Sequence, residues 1–242
     1  MSLTLVTGGT RGIGAAIATR LADDGHDLVL GYLSDSQAAE ETATRIRALG
    51  RTCVSVQADL TDADEVERLF AAAAEVGPLT AVVNNAGATY RFASLADTPP
   101  EEVRRVVEVN LLAPLFVARA AVLAMRESGG VLVNITSGAA TIGSPGEYVH
   151  YAASKAGLDT LTRGLGLEVA AQGIRVVAVA PGLIATDLHA TTGDAGRVER
   201  MAPQIPLGRA GQPTEIAEAV AWLMSDAASY ITATTLRVAG GR

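Results

Sequence analysis

The chain has 242 residues, 49% of them hydrophobic but only 4% aromatic, with 25 glycines and a formal net charge of −7. This length suits one larger domain that buries ~70–75% of its unfolded surface, and the apolar, small-residue composition excludes a disordered or fibrous chain. The acidic balance argues against a nucleic-acid partner, which would need a basic patch, and the single cysteine, Cys53, excludes an intrachain disulfide.

Met1 leads into a strand without a basic start or cleavage region, so no signal peptide is expected. Leu3 to Thr7 is a short apolar run that passes into Gly8-Gly-Thr-Arg-Gly-Ile-Gly14 and then an alanine-rich amphipathic helix to about Asp24. Strand, glycine turn and helix in that order make a phosphate-binding unit: glycines let the backbone approach a ligand, and exposed amides at the helix start favour a pyrophosphate. The alternation continues with strands at Asp27–Tyr32, Thr52–Gln57 and Leu79–Asn84 and helices at Ser36–Leu49 and Ala63–Val76. Strands alternating with helices predict an α/β protein with a doubly wound, mainly parallel sheet of about seven strands. The loops that follow the strands gather along one edge, where such sheets bind ligands, and Asp59, Asn85 and Gly87 fall in those loops.

In the second half a helix is expected from Glu101 to Met125, a strand at Val131–Thr136, a helix to about Gln172 and a strand at Ile174–Ala180. The apolar part, Leu111 to Met125, is interrupted by Pro114 and Arg119. It falls short of the ~20 residues of a membrane span, so it reads as a buried helix. Residues 187–209 carry Gly, Pro, charge and His189, which predicts a lid before a helix Pro213–Ser225 and a last strand near Leu236. With no linker or repeat, residues 1–242 form one domain.

Tyr151 and Lys155 lie four residues apart in Glu147-Tyr-Val-His-Tyr-Ala-Ala-Ser-Lys155. On a helix they share a face. An ammonium beside a phenol is expected to pull the tyrosine's proton loss down towards working pH, giving a group that passes a proton to or from a substrate oxygen. The same spacing also occurs on solvated helix faces.

Taken together, these motifs resemble the classical branch of the short-chain dehydrogenase/reductase family over the whole chain. Thr7-Gly-Gly-Thr-Arg-Gly-Ile-Gly14 is similar to its glycine motif, Asn84-Asn-Ala-Gly87 to its second signature, and Tyr151-x-x-x-Lys155 to its catalytic pair. Asn110 and Ser137 fall where the family keeps the other members of a catalytic tetrad, and Pro181-Gly-Leu-Ile-Ala-Thr186 resembles the segment along the nicotinamide. The resemblance implies a Rossmann-type fold and hydride transfer between a nicotinamide and a small carbonyl or alcohol. Tyr151 would then be the general acid or base, Ser137 would hold the substrate oxygen, Lys155 would hold the ribose and tune Tyr151, and Asn110 would support a water relay. The implied cofactor contacts are Gly8, Thr10, Arg11, Gly12, Ile13, Gly14, Tyr32, Ser34, Asp59, Leu60, Asn85, Ala86, Gly87, Tyr151, Lys155, Pro181, Gly182, Ile184 and Thr186, with no metal.

The second strand ends in Gly31-Tyr-Leu-Ser34, with no carboxylate to pair with a ribose hydroxyl. Arg11 is placed to reach an added phosphate, which favours NADP(H) over NAD(H), although Asp35 follows closely. The expected pocket walls include Thr89, Arg91, Ser94, Ala139, Glu147, Leu183, Leu188 and His189. Among family members the sequence is most similar to glucose-type dehydrogenases and 3-oxoacyl-carrier-protein reductases. For a carrier protein, Arg126 and Arg163 are the available basic residues. A homo-oligomer in the cytoplasm, without membrane contact, is expected. Ala233 and Ala239 stand where family members often have Gly and Asp, in a region used for subunit contact. A cofactor-binding sensor without turnover is the alternative, and a degraded catalytic set would mark it.

Overall fold

Seven apolar runs become the strands of one sheet in the computed structural model, which describes residues 2–186 and 196–242. They are β1 (Leu3–Thr7), β2 (Asp27–Tyr32), β3 (Cys53–Gln57), β4 (Leu79–Asn84), β5 (Gly130–Ile135), β6 (Ile174–Pro181) and β7 (Thr234–Val238). Their spatial order is β3-β2-β1-β4-β5-β6-β7, and every pairing is parallel. Because parallel strands need crossovers, helices cover both faces, and the strands read as unbroken apolar runs rather than as alternations.

The period of two along each strand divides the core. Val6, Leu30, Val83, Val133 and Val177 face α1 (Gly12–Asp23), α2 (Ser36–Ala48) and a later helix, where Ile17, Leu21, Ile46, Ile216 and Val220 bury against them. Their neighbours Leu5, Val29, Val82, Leu132 and Val176 face the opposite layer, filled by Val66, Leu69 and Phe70 of α3 (Ala63–Val76) together with Val117 and Met125. Each such buried side chain contributes about 1.5–3 kcal/mol. Asp35 and Asp62 start α2 and α3 by accepting the amides of Ala38 at 3.0 Å and Asp64 at 2.9 Å. Cys53 is buried in β3, and burial pushes its thiol up to about 11, as suits an unreactive core sulfur.

Between β4 and β5 the structure departs from the single helix expected over Glu101–Met125. It forms α4 (Pro100–Val107), a π turn at Glu108–Leu112, and α5 (Ala113–Met125). Pro114 has no N–H for the carbonyl of Asn110, and its ring would crowd that carbonyl in a regular helix. The widened turn, in which the Ala113 amide reaches back to Glu108, accommodates the proline without ending the helix. The stretch Pro100–Met125 is long and apolar enough to cross a membrane. Here Val117, Ala118, Ala121 and Met125 instead pack against the sheet.

After β5 come α6 (Ala139–Ile142) and α7 (Val149–Glu168), and after β6 come α8 (Arg197–Met201) and α9 (Pro213–Met224). The expected lid therefore contains α8, while residues 187–195, with Leu188 and His189, lie outside the described residues. A buried polar ladder ties the middle of the sheet to α7. Asn84 Nδ2 donates to Asn134 Oδ1 at 3.1 Å, Asn134 Nδ2 to Thr162 Oγ1 at 2.9 Å, and Thr162 Oγ1 to the Leu158 carbonyl at 2.9 Å.

Candidate active site

The loops after β1 and β4 part at the switch in strand order, and they are laced together where they do so. Thr7 Oγ1 accepts the backbone amides of Asn85 and Ala86, both at 3.0 Å. Asn85 Nδ2 returns hydrogen bonds to the carbonyls of Thr7 at 3.0 Å and Gly8 at 3.1 Å. The turn folds so tightly that a Cβ on Gly14 would lie 2.0 Å from the Gly8 carbonyl oxygen, so only glycine serves there. Arg11 gives α1 no side-chain cap, and its first turn has no acidic residue. Its leading amides are left to an external acceptor, which fits a pyrophosphate.

At the outer edge Tyr32 ends β2, and Arg11 Nη1 stands 3.4 Å from Asp35 Oδ2. The arginine side chain remains 70% exposed. Asp59 uses its carboxylate locally, accepting Thr61 N at 3.0 Å and Thr61 Oγ1 at 2.7 Å.

Ser137 follows β5, while Tyr151 and Lys155 occupy the first two turns of α7. Lys155 is buried, and its Nζ donates to the Ile135 carbonyl at 3.0 Å, 5.8 Å from the centre of the Tyr151 ring. Burial brings the Lys155 ammonium down to about 8, partly offset by Asp159. The Tyr151 phenol moves the opposite way from the sequence expectation. Burial raises it above its ordinary value, and a side-chain hydrogen bond with Ser137 only partly offsets this. Asn110, fully buried in the π turn, lies behind the cavity wall rather than on it. Its Oδ1 accepts Ala88 N at 3.2 Å, and its Nδ2 donates to the carbonyls of Ala88 at 2.8 Å and Val106 at 2.9 Å. A Cβ on Gly87 would come within 2.8 Å of Asn110 Oδ1 and 3.3 Å of Lys155 Nζ. Glycine thus lets the β4 loop pass beside the lysine.

These pieces open onto one cavity of about 820 Å³. It is lined on the glycine-turn side by Gly8, Thr10 to Gly14, Tyr32, Ser34, Asp59, Leu60 and Asn85 to Gly87, and on the other by Ser137, Tyr151, Lys155, Pro181 to Ile184 and Thr186. Thr89, Ala139, Glu147 and Leu183 line it as expected from the sequence. Arg91 and Ser94 do not, because Asp97 captures both: Arg91 Nη2 donates to its carbonyl at 3.2 Å and Ser94 Oγ to its Oδ2 at 2.6 Å. Sequence reasoning missed Phe92, Tyr148 and Arg197, which also line the cavity. An aromatic one helical turn before the motif tyrosine was a visible signal for Tyr148, whereas nothing local marked Arg197.

The arrangement offers amides for phosphates, a buried ammonium, a phenol and a hydroxyl on one cavity wall, and an apolar recess beside them. A protein-family profile described as Enoyl-(Acyl carrier protein) reductase matches residues 8–242. The chain is 44% identical over 247 residues to the uncharacterized oxidoreductase YgfF of Escherichia coli, covering 100% of each. It superposes on a short chain dehydrogenase from Burkholderia cenocepacia in complex with NADP with a TM-score of 0.93 and 35% identity, over 99% of this chain and 97% of that one. On a 3-ketoacyl-(acyl-carrier-protein) reductase from Brucella melitensis complexed with NADH the TM-score is 0.92 at 31% identity, over 100% and 98%. The profile match, the full-length identity and the superposition agree, and the chain belongs to the short-chain dehydrogenase/reductase family of NAD(P)-dependent oxidoreductases.

Proposed function

We propose that the chain interconverts small carbonyl compounds and alcohols with NADP(H) in preference to NAD(H), and that Tyr151 carries the proton. The observation that carries this reading is the convergence of Ser137, Tyr151 and Lys155 on the cavity that the glycine turn opens. Bound nicotinamide supplies or takes the hydride.

The residues divide the remaining work. Because burial keeps the Tyr151 phenol protonated, it is poised to give its proton to a carbonyl oxygen. Ser137, which lines the cavity with the phenol, holds that oxygen beside it and donates to charge as it develops. Lys155 faces the tyrosinate left behind and stabilises it, while its bond to the Ile135 carbonyl fixes its direction. Asn110 grips the amide and carbonyl of Ala88 and so sets the loop that passes Lys155. Its own carbonyl, denied the Pro114 N–H, is a site for a solvent relay to the lysine.

The cofactor preference rests on the end of β2. No carboxylate occurs from Gly31 to Ser34, and the carboxylate that follows, Asp35, already bonds the Ala38 amide and faces Arg11. Asp35 therefore orients an exposed guanidinium at the place where a ribose phosphate would project. Titrating NADPH and NADH by fluorescence, then adding ketones, quinones and 3-oxoesters, tests the reading. Tighter NADPH binding with oxidation by one carbonyl class is expected. Binding without turnover across the panel would contradict it.

A further inference from the structure

The substrate side holds a half-buried ion pair that the proton-transfer machinery does not use. Arg197, at the start of α8, is 5% exposed. Its Nη1 and Nη2 meet Glu147 Oε1 and Oε2 at 2.9 and 2.8 Å, and Nη2 also lies 3.4 Å from the Tyr148 hydroxyl. The guanidinium carbon sits 4.4 Å from the centre of the Phe92 ring and 5.7 Å from that of Tyr148. Phe92 and Tyr148 are 4.9 Å apart, and Tyr148 meets Tyr151 edge to face at 5.2 Å. A continuous stack thus runs from Arg197 to the proton-carrying tyrosine. Both partners of the ion pair line the cavity.

We propose that Arg197 and Glu147 are the specificity-determining pair of this site: bound to each other, they present a charge-neutral, aromatic wall that admits uncharged, flat carbonyl compounds and turns carboxylates away. The inference rests on the carbonyl-reduction reading and names its substrate class. Glu147 occupies both Nη groups of Arg197, and the unpartnered Nε is buried, so the arginine presents no exposed fork to a substrate carboxylate. A carboxylate entering here would face Glu147 without a cation to spare, and that repulsion is the discriminating element. A neutral ring meets only the faces and edges of Phe92 and Tyr148, the geometry in which aromatic groups attract. The backbone holds the wall in place, since the Ala93 amide donates to the Glu147 carbonyl at 2.8 Å.

Two aldehydes that differ at a remote carboxyl group, methylated in one and ionised in the other, test this: methyl 4-formylbenzoate and 4-formylbenzoate, each with NADPH. The wild type should favour the ester in kcat/KM by about 10²-fold, with the difference lying in KM. Glu147→Gln, which keeps the side chain's size, frees the guanidinium and should raise the relative rate on the acid by about tenfold or more. Adding Arg197→Met to that variant should restore the preference for the ester. Equal use of both compounds by the wild type would overturn the proposal whether or not the variants fold. So would an unchanged ratio in a Glu147→Gln protein that binds NADPH normally. If the wild type turns over neither compound, the reduction reading is decided by the wider panel of ketones, quinones and 3-oxoesters. The proposal is then decided by quenching of bound NADPH fluorescence, where tighter binding of the ester supports it and no binding of either compound overturns it.

Discussion

Lys155 Nζ stands 5.8 Å from the centre of the Tyr151 ring, anchored on the Ile135 carbonyl at 3.0 Å. The lysine holds its proton only to about pH 8, whereas the phenol keeps its own well above neutrality. In the proposed reduction both groups must be protonated. In the reductive direction kcat/KM should therefore be flat below neutrality and fall as pH rises through about 8, the limb belonging to Lys155 and not to Tyr151. A pH profile of Lys155→Arg, whose charge persists, should lose that limb even if its rate is lower.

The same buried charge acts on stability. The folded chain holds the Lys155 proton to about 8 and the unfolded chain to 10.5. Between these values the unfolded state binds more protons, so stability rises with pH across that window and the charged lysine costs the free protein about 3 kcal/mol below it. Lys155→Met should remove this dependence and stabilise the cofactor-free protein at pH 7 by about 1–3 kcal/mol. Urea denaturation of both proteins from pH 7 to 9.5 checks the difference, below the range where Tyr151 adds a trend of opposite sign.

Periodicity and glycine placement made the sheet, the helix order and the cofactor edge legible, because those features are written in neighbouring residues. Three parts of the site were not written locally. The π turn at Asn110 lies inside an apolar pattern that continues through Pro114, and only the proline's missing N–H distinguishes it. Arg197 reaches Glu147 across 50 residues, a meeting made by the fold. The upward shift of Tyr151 reversed the expectation drawn from its charged neighbour, since burial outweighs an ammonium that points to Ile135.

The proposed NADP(H) preference rests on Arg11. Arg11→Ala should weaken NADPH binding by about tenfold while leaving NADH nearly unchanged, as expected for the loss of one exposed charge-assisted contact. Paired fluorescence titrations check it, and equal losses for both cofactors would place the arginine's role elsewhere.

Ala233 is held at φ 56°, where a Cβ is strained, with Gly166 of α7 packed against its backbone. Ala233→Gly should relieve the strain and raise stability by about 0.5–1 kcal/mol, the left-handed penalty being partly offset by glycine's freedom in the unfolded chain. Thermal or urea unfolding measures it. Gly166→Ala should be strongly destabilising, since its Cβ would meet the Ala233 backbone at 2.8 Å.

The most direct test of proton transfer by Tyr151 is a single turnover of preloaded NADPH with a carbonyl substrate, compared between the wild type and Tyr151→Phe. The phenylalanine variant should bind NADPH with nearly unchanged affinity and oxidise it on the order of 10²-fold more slowly or worse. Equal rates in the two proteins would contradict the assignment.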